Sequence, residues 1–160
     1  MSSFACDNVY KLPKLTKVVL SPGFNATRIE LAAAKLVQTD VGFNSGPKPR
    51  KSVAGFKVRG GQLIALEATL RSVCMFEFLD RLMHIALPKL REFRGLNVSA
   101  FDNRHNISFG VKEYSVFPEI KYNKSAGAFG VNIALCIRAA SGLYAIALLT
   151  FLGIPFGAIV

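Results

Sequence analysis

The sequence predicts an α+β layer, with helices packed on one face of a sheet. Three observations carry this. Apolar residues alternate along VNIALCIR at 131–138, and less completely at 62–71 and 107–112. Residues 73–87, VCMFEFLDRLMHIAL, change instead to helical spacing. No regular strand–helix–strand repeat links these segments.

In chain order, LTKVVL at 15–20 reads as a strand closed by the turn residues Ser21-Pro22-Gly23. Thr27-x-x-Glu30 has capping-box spacing, and Ile29, Leu31, Ala32, Ala33, Leu36 and Val37 give the helix after it an apolar side. Prolines and glycines then crowd FNSGPKPRKSVAGFKVRGG at 43–61, which predicts a loop, or an edge strand at most. In the 62–71 strand, Ile64, Leu66, Ala68 and Leu70 share a face opposite Glu67, Thr69 and Arg71. The 73–87 helix carries Phe76, Leu79, Leu82, Met83 and Ala86 on one stripe, and Pro88 breaks or bends it. Ile107, Phe109 and Val111 alternate with Ser108, Gly110 and Lys112, and Val131, Ile133, Leu135 and Ile137 define the clearest strand.

Residues 139–160 contain no charge. A run of about 20 apolar residues can span a bilayer. Here Ser141-Gly142 opens the run, while Gly153, Pro155 and Gly157 interrupt its end, so the uninterrupted part is 143–152. That length predicts a buried terminal helix and no membrane span; a basic protein anchored in a membrane by 139–160 is the alternative.

The 160 residues suit one domain, and 51% hydrophobic against 19% charged residues excludes wholesale disorder. Within it, 1–14 form a short N-terminal extension, 44–61 a basic loop, and 139–160 an uncharged helix and tail. A net charge of +10 favours a polyanionic partner. Cys6, Cys74 and Cys136 have no short spacing and read as reduced, mostly buried thiols, giving neither a disulfide frame nor a zinc site. The first residues lack the apolar core of a secretory signal, and an early Asp7 with no arginine before Arg28 argues against a presequence. The N-x-S/T triplets at Asn25, Asn97, Asn106 and Asn123 are read as chance.

No catalytic set assembles. His84 and His105 have no ligand cluster near them, and Asp80 and His84, four apart on a helix, predict a surface pair. Neither a nucleophile elbow nor a P-loop occurs, and Gly127-x-x-Gly130 is too little for a dinucleotide fingerprint. The expectation is a non-enzyme without metal or cofactor.

The sharp feature is the basic loop. Residues 41–66 hold Lys48, Arg50, Lys51, Lys57 and Arg59 without one carboxylate. Gly55, Gly60 and Gly61 let backbone approach a phosphate, and Phe56 offers a ring for stacking. Lys89, Arg91 and Arg94 form a second basic group, which could simply complement a helix end.

Five segments in series carry a resemblance: RKSVAGFKVRGG (50–61), ATLR (68–71), MFEFLDRLMHIALPKLREFRGL (75–96), FDNRHNISFGVKE (101–113) and FPEI (117–120). From about Leu15 to Phe156 the chain closely resembles the bacterial-type large-subunit ribosomal protein of the universal L-five family. The resemblance implies an antiparallel sheet with helices packed on one face. It also implies an rRNA-binding protein of the central protuberance, contacting 5S rRNA, large-subunit rRNA, P-site tRNA and a small-subunit head protein. Carried over, Arg50, Lys51, Ser52, Val53, Ala54, Gly55, Phe56, Lys57 and Arg59 form the tRNA-contacting loop. Ser21, Lys48, Thr69, Arg71 and Arg104 fall to rRNA, and Lys89, Arg91 and Arg94 to the intersubunit bridge.

The departures matter as well. Ser21 stands where the family usually has Asn, and Gly46-Pro47-Lys48-Pro49 where it has Gly-Gln-Lys-Pro. Several residues are missing before Arg50, and of the family's polar 5S-contacting positions only Thr69 survives. Each lost hydrogen bond is worth about 0.5–3 kcal/mol, which weakens the case for 5S rRNA. The family's first helix shrinks to Phe4–Leu12 or is gone. Its last helix, elsewhere charged, is uncharged here, so a neighbouring ribosomal protein is expected to cover residues 143–160. With thirteen phenylalanines, these departures favour a mitochondrial ribosome, the matrix being its compartment. Bacterial cytoplasm and plastid stroma are the alternatives.

Overall fold

The computed structural model describes residues 8–22, 48–62, 67–91, 93–112, 116–117 and 130–157. Strands β1 (Lys14–Pro22), β2 (Ala68–Leu70), β3 (Ile107–Val111) and β4 (Val131–Arg138) form one sheet in the order β2-β1-β4-β3. Every pairing is antiparallel, as the family resemblance implies. The helix expected from Asn25 or Thr27 to just before Gly42, the Gly46-Pro47 half of the family motif, Ile64, Leu66 and Cys6 lie outside the described residues. Of the shortened first helix, the described part is a single 3-10 turn at Val9–Lys11.

The apolar residues of β1 do not alternate evenly, since Leu15, Val18 and Leu20 are three and then two apart. A register shift between Leu15 and Lys17 absorbs the odd spacing, so all three are buried on one face. Thr16, in that irregularity, donates its hydroxyl to the Cys136 carbonyl at 2.8 Å. β1 also continues through Ser21 and Pro22, where a turn was expected. Pro22 is opposite Val131, and a proline is tolerated there because it ends the strand.

In β4, Val131, Ile133, Leu135 and Ile137 are all buried, as their alternation predicts. Ala68 and Leu70 of β2 and Ile107 and Val111 of β3 join them, while Phe109 is half-buried. Cys74 and Cys136 are free and only partly buried, short of the expected burial. Cys136 falls between inward-facing neighbours of β4, on the sheet's other face.

Helix α1 (Ser72–Arg81) continues through a π-helical stretch at Leu82–Ala86 into a last turn at Leu87–Lys89. Its buried stripe is Met75, Phe78, Leu79, Leu82 and Ala86. The expected stripe placed Phe76 inward; Phe76 is instead 53% exposed. Apolar residues at 75, 76, 78, 79, 82 and 83 satisfy helical spacing in two rotations about 100° apart. Packing of Phe78 on Phe117, ring centroids 6.0 Å apart, belongs to the rotation adopted. The widened turn, with the Leu87 N–H bonded to the Leu82 carbonyl, lies just before Pro88. Proline has no N–H for a regular helical bond, so here the helix is distorted without ending.

Helix α2 (Gly142–Phe151) buries Ala145 and Leu149. Its end is set by Gly153 at φ +90°, with Gly153 N–H to the Thr150 carbonyl and Ile154 N–H to the Leu149 carbonyl, both 3.0 Å. Ten residues reach about 15 Å, half a bilayer core. Among the described residues no helix is long and apolar enough to cross a membrane. Beyond α2 the chain returns to pair in parallel, Leu96 N–H to the Pro155 carbonyl at 2.9 Å and Gly157 N–H to the Leu96 carbonyl at 3.0 Å. Phe156 also stacks on Phe101, with centroids 6.1 Å apart.

Candidate nucleic-acid interface

The basic loop is a small hairpin tied by its own backbone. Val53 and Val58 exchange both N–H···O bonds, at 3.0 and 3.2 Å. Ala54–Phe56 make one 3-10 turn between them, closed by the Lys57 N–H on the Ala54 carbonyl with Lys57 left-handed at φ 54°. Lower down, Gly60 N–H donates to the Ser52 hydroxyl at 2.8 Å, and Gly61 N–H to the Pro49 carbonyl at 2.9 Å. Gly61 sits at φ +75°, a conformation that costs glycine little.

No residue from Arg50 to Gln62 is buried, and Phe56 is 81% exposed. The hairpin therefore holds its shape without core contacts and presents an aromatic ring at its tip. Lys48, Arg50, Lys51, Lys57 and Arg59 are exposed around it, with no carboxylate partner among the described residues. Such a surface can neutralise phosphates and stack a base. An edge strand was the most that sequence allowed; one two-residue bridge is what the fold makes.

The residues expected to meet rRNA do not form one cluster. Ser21 and Thr69 share the sheet face turned from the core: Thr69 is opposite Val19, two residues from Ser21 on β1. Asn132, opposite Ser21 on β4, adds an exposed amide on that face, its Oδ1 lying close over Gly110. Sequence reading missed it; its alternation with buried Val131 and Ile133 was the available signal. Arg71 and Arg104 lie toward the other end of the strands, past Leu70 and before Ile107.

Arg104 is held in a loop that Asp102 organises. Its carboxylate accepts from the Arg104 and Asn106 N–H groups at 2.8 and 2.7 Å, and from the Asn106 amide at 2.9 Å. Asn106 in turn accepts the Ile137 N–H at 3.1 Å, fastening the loop to β4. The Asn106 side-chain bond first, then the two backbone N–H groups and Arg104, hold the Asp102 carboxyl below its ordinary value.

Lys89 and Arg91 line an open depression of about 470 Å³ with Lys112, Leu90 and Phe93. Lys112 joins this group through the fold alone, and Arg94 stands outside the depression although it is exposed. His84 and Asp80 are a surface pair, 2.9 Å apart with both side chains nearly three-quarters exposed. Among the described residues no three His, Cys, Asp or Glu side chains could hold a metal.

A basic hairpin with an exposed ring, on a small antiparallel α+β domain, is a class of surface suited to an RNA partner. Residues 63–156 match the model for the C-terminus of the ribosomal L5 family. Over 161 aligned residues the chain is 38% identical to the large ribosomal subunit protein uL5c of Rhodomonas salina, covering 98% of this chain and 89% of that protein. The chain belongs to the ribosomal L5 family. It is a ribosomal protein and not an enzyme. These similarities lend no support to the mitochondrial placement expected from the uncharged tail.

Proposed function

We propose that the chain is a structural constituent of the large ribosomal subunit, in the central protuberance. Its 50–61 hairpin contacts P-site tRNA during translation. Ser21, Thr69, Lys48, Arg71 and Arg104 meet rRNA, and Lys89, Arg91 and Arg94 help form a bridge to a small-subunit head protein. The observation that carries this reading is the hairpin: cations and one ring on a tip with no structural duty to the core. A neighbouring ribosomal protein covers residues 143–160, where Leu143 and Phe151 are 70% and 87% exposed. The uncharged tail favours a protein-rich mitochondrial ribosome, with plastid and bacterial ribosomes as alternatives; fractionation against compartment markers decides between them.

The test replaces Arg50, Lys51, Lys57 and Arg59 together by alanine in assembled large subunits and follows P-site tRNA dissociation against salt. Faster dissociation is expected, with the salt slope reduced by about 0.7–0.9 for each phosphate no longer neutralised. Unchanged tRNA retention sinks the tRNA role. Sequencing the RNA of the purified subunit decides the case of 5S rRNA: a stoichiometric 5S species would show that Thr69 and the remaining open face suffice.

A further inference from the structure

At the end of the sheet away from Ser21, a groove of about 610 Å³ runs between β1, α1 and α2. Lys14, Arg71 and Arg138 stand at its edge, and Phe76, Leu148 and Leu152 contribute apolar surface. Lys14 and Arg138 are direct cross-strand partners. Like charges in that position oppose pairing, and none of the three cations has a carboxylate partner among the described residues. Among the described residues, then, three positive charges without a carboxylate partner line a partly apolar cleft.

We infer that this groove docks an acidic, amphipathic segment of a neighbouring protein, with an apolar side chain seated against Phe76, Leu148 and Leu152 and carboxylates facing Lys14, Arg71 and Arg138. Charge complementarity requires an anion, and the surroundings select the kind. Leu12 and Val73, flanking the groove in sequence, are 51% and 68% exposed, and Phe151, one position from Leu152, is 87% exposed. A phosphate backbone would neutralise the rim and leave this apolar surface wet; a peptide with both characters covers both. The inference rests on the reading of residues 143–160 as covered by a protein, and it supplies that protein's chemistry and seat.

The test places a photo-reactive benzoylphenylalanine at Phe76, a half-exposed position, in full-length chain assembled into purified large subunits. The expected product is a cross-link to a ribosomal-protein peptide with an apolar residue flanked by Asp or Glu. Arg138→Glu should cut the cross-link yield about tenfold, because it sets like charges against each other where the peptide docks. The same substitution should not lower the melting temperature of the purified chain, since the new carboxylate faces Lys14 across the strands. That combination separates docking from folding. A cross-link to rRNA, to a peptide without carboxylates, or to the chain's own first seven residues would overturn the inference, as would no cross-link or a yield indifferent to Arg138→Glu. In those cases the chain's presence in the subunit would leave the ribosomal reading standing. Absence of the unsubstituted chain from large subunits would overturn both.

Discussion

Gly95 packs backbone to backbone against Gly157, at a φ of +98° and so closely that a Cβ on Gly95 would meet the Gly157 amide nitrogen and approach the Phe156 carbonyl carbon to 2.6 Å. This contact and the Leu96 hydrogen bonds with Pro155 and Gly157 join the basic 89–94 stretch to the uncharged tail. Neither partner is a flexible side-chain end, so nothing nearby can yield cheaply.

Gly95→Ala is therefore expected to cost about 2–4 kcal/mol, combining a left-handed backbone with a backbone clash. Gly55→Ala is the control: a Cβ there meets nothing within 4 Å, and the change should stay within about 0.5 kcal/mol. Denaturant unfolding of both variants checks the contrast. Equal stabilities would mean that the tail does not pack on Gly95.

The Asp102 loop predicts an acid-sensitive element. Its carboxyl is depressed when folded, so its contribution is present above the unfolded value near 3.9 and fades as pH falls through the folded value. Wild type and Asp102→Ala should differ most in melting temperature above about pH 5 and converge in stronger acid. A constant difference across that range would remove the charge from the account. Asn106→Ala should cost about 1 kcal/mol in acid, where it leaves the Ile137 N–H without its partner. Above about pH 5 it should cost more, because it also removes the bond that does most to lower the Asp102 carboxyl.

Much of this architecture was legible because β4 alternates strictly and α2 ends in Gly153 and Pro155. Phe76 was misplaced for a definite reason. With six apolar residues between 75 and 83, spacing alone permits two helix rotations, and packing on distant residues such as Phe117 goes with the one adopted. The irregularity at Thr16 was hidden in the same way, since its cause is the Cys136 carbonyl on another strand. At the site, charge and glycine content pointed to 50–61, but the Ser52–Gly60 and Pro49–Gly61 bonds that shape the hairpin have no signature in spacing. The meeting of Lys14, Arg71 and Arg138 is a product of strand register, which sequence separation of up to 124 positions conceals.

The Asp80–His84 pair should prove dispensable. Both side chains are largely exposed, and exposed ion pairs contribute about 0–1 kcal/mol. Asp80→Ala and His84→Ala are each expected to alter stability by less than about 1 kcal/mol and to leave translation rates unchanged. A large loss of either would reveal a contact outside the described residues.

Phe56 separates stacking from charge at the hairpin tip. Its ring touches no core, and the Val53–Val58 bridge forms without it, so Phe56→Ala should fold and assemble as wild type does. In assembled large subunits the same variant should weaken P-site tRNA retention by about 1–3 kcal/mol, the usual worth of an aromatic platform under a base. Phe56→Tyr, which keeps the ring, should restore most of that loss, whereas Phe56→Leu, which keeps apolar bulk but no π face, should not. The salt slope should stay unchanged in all three, because every cation that meets a phosphate is still present. If leucine serves as well as tyrosine, the tip makes a plain apolar contact with the tRNA and the stacking role is wrong; if alanine also serves, the cations alone hold the tRNA.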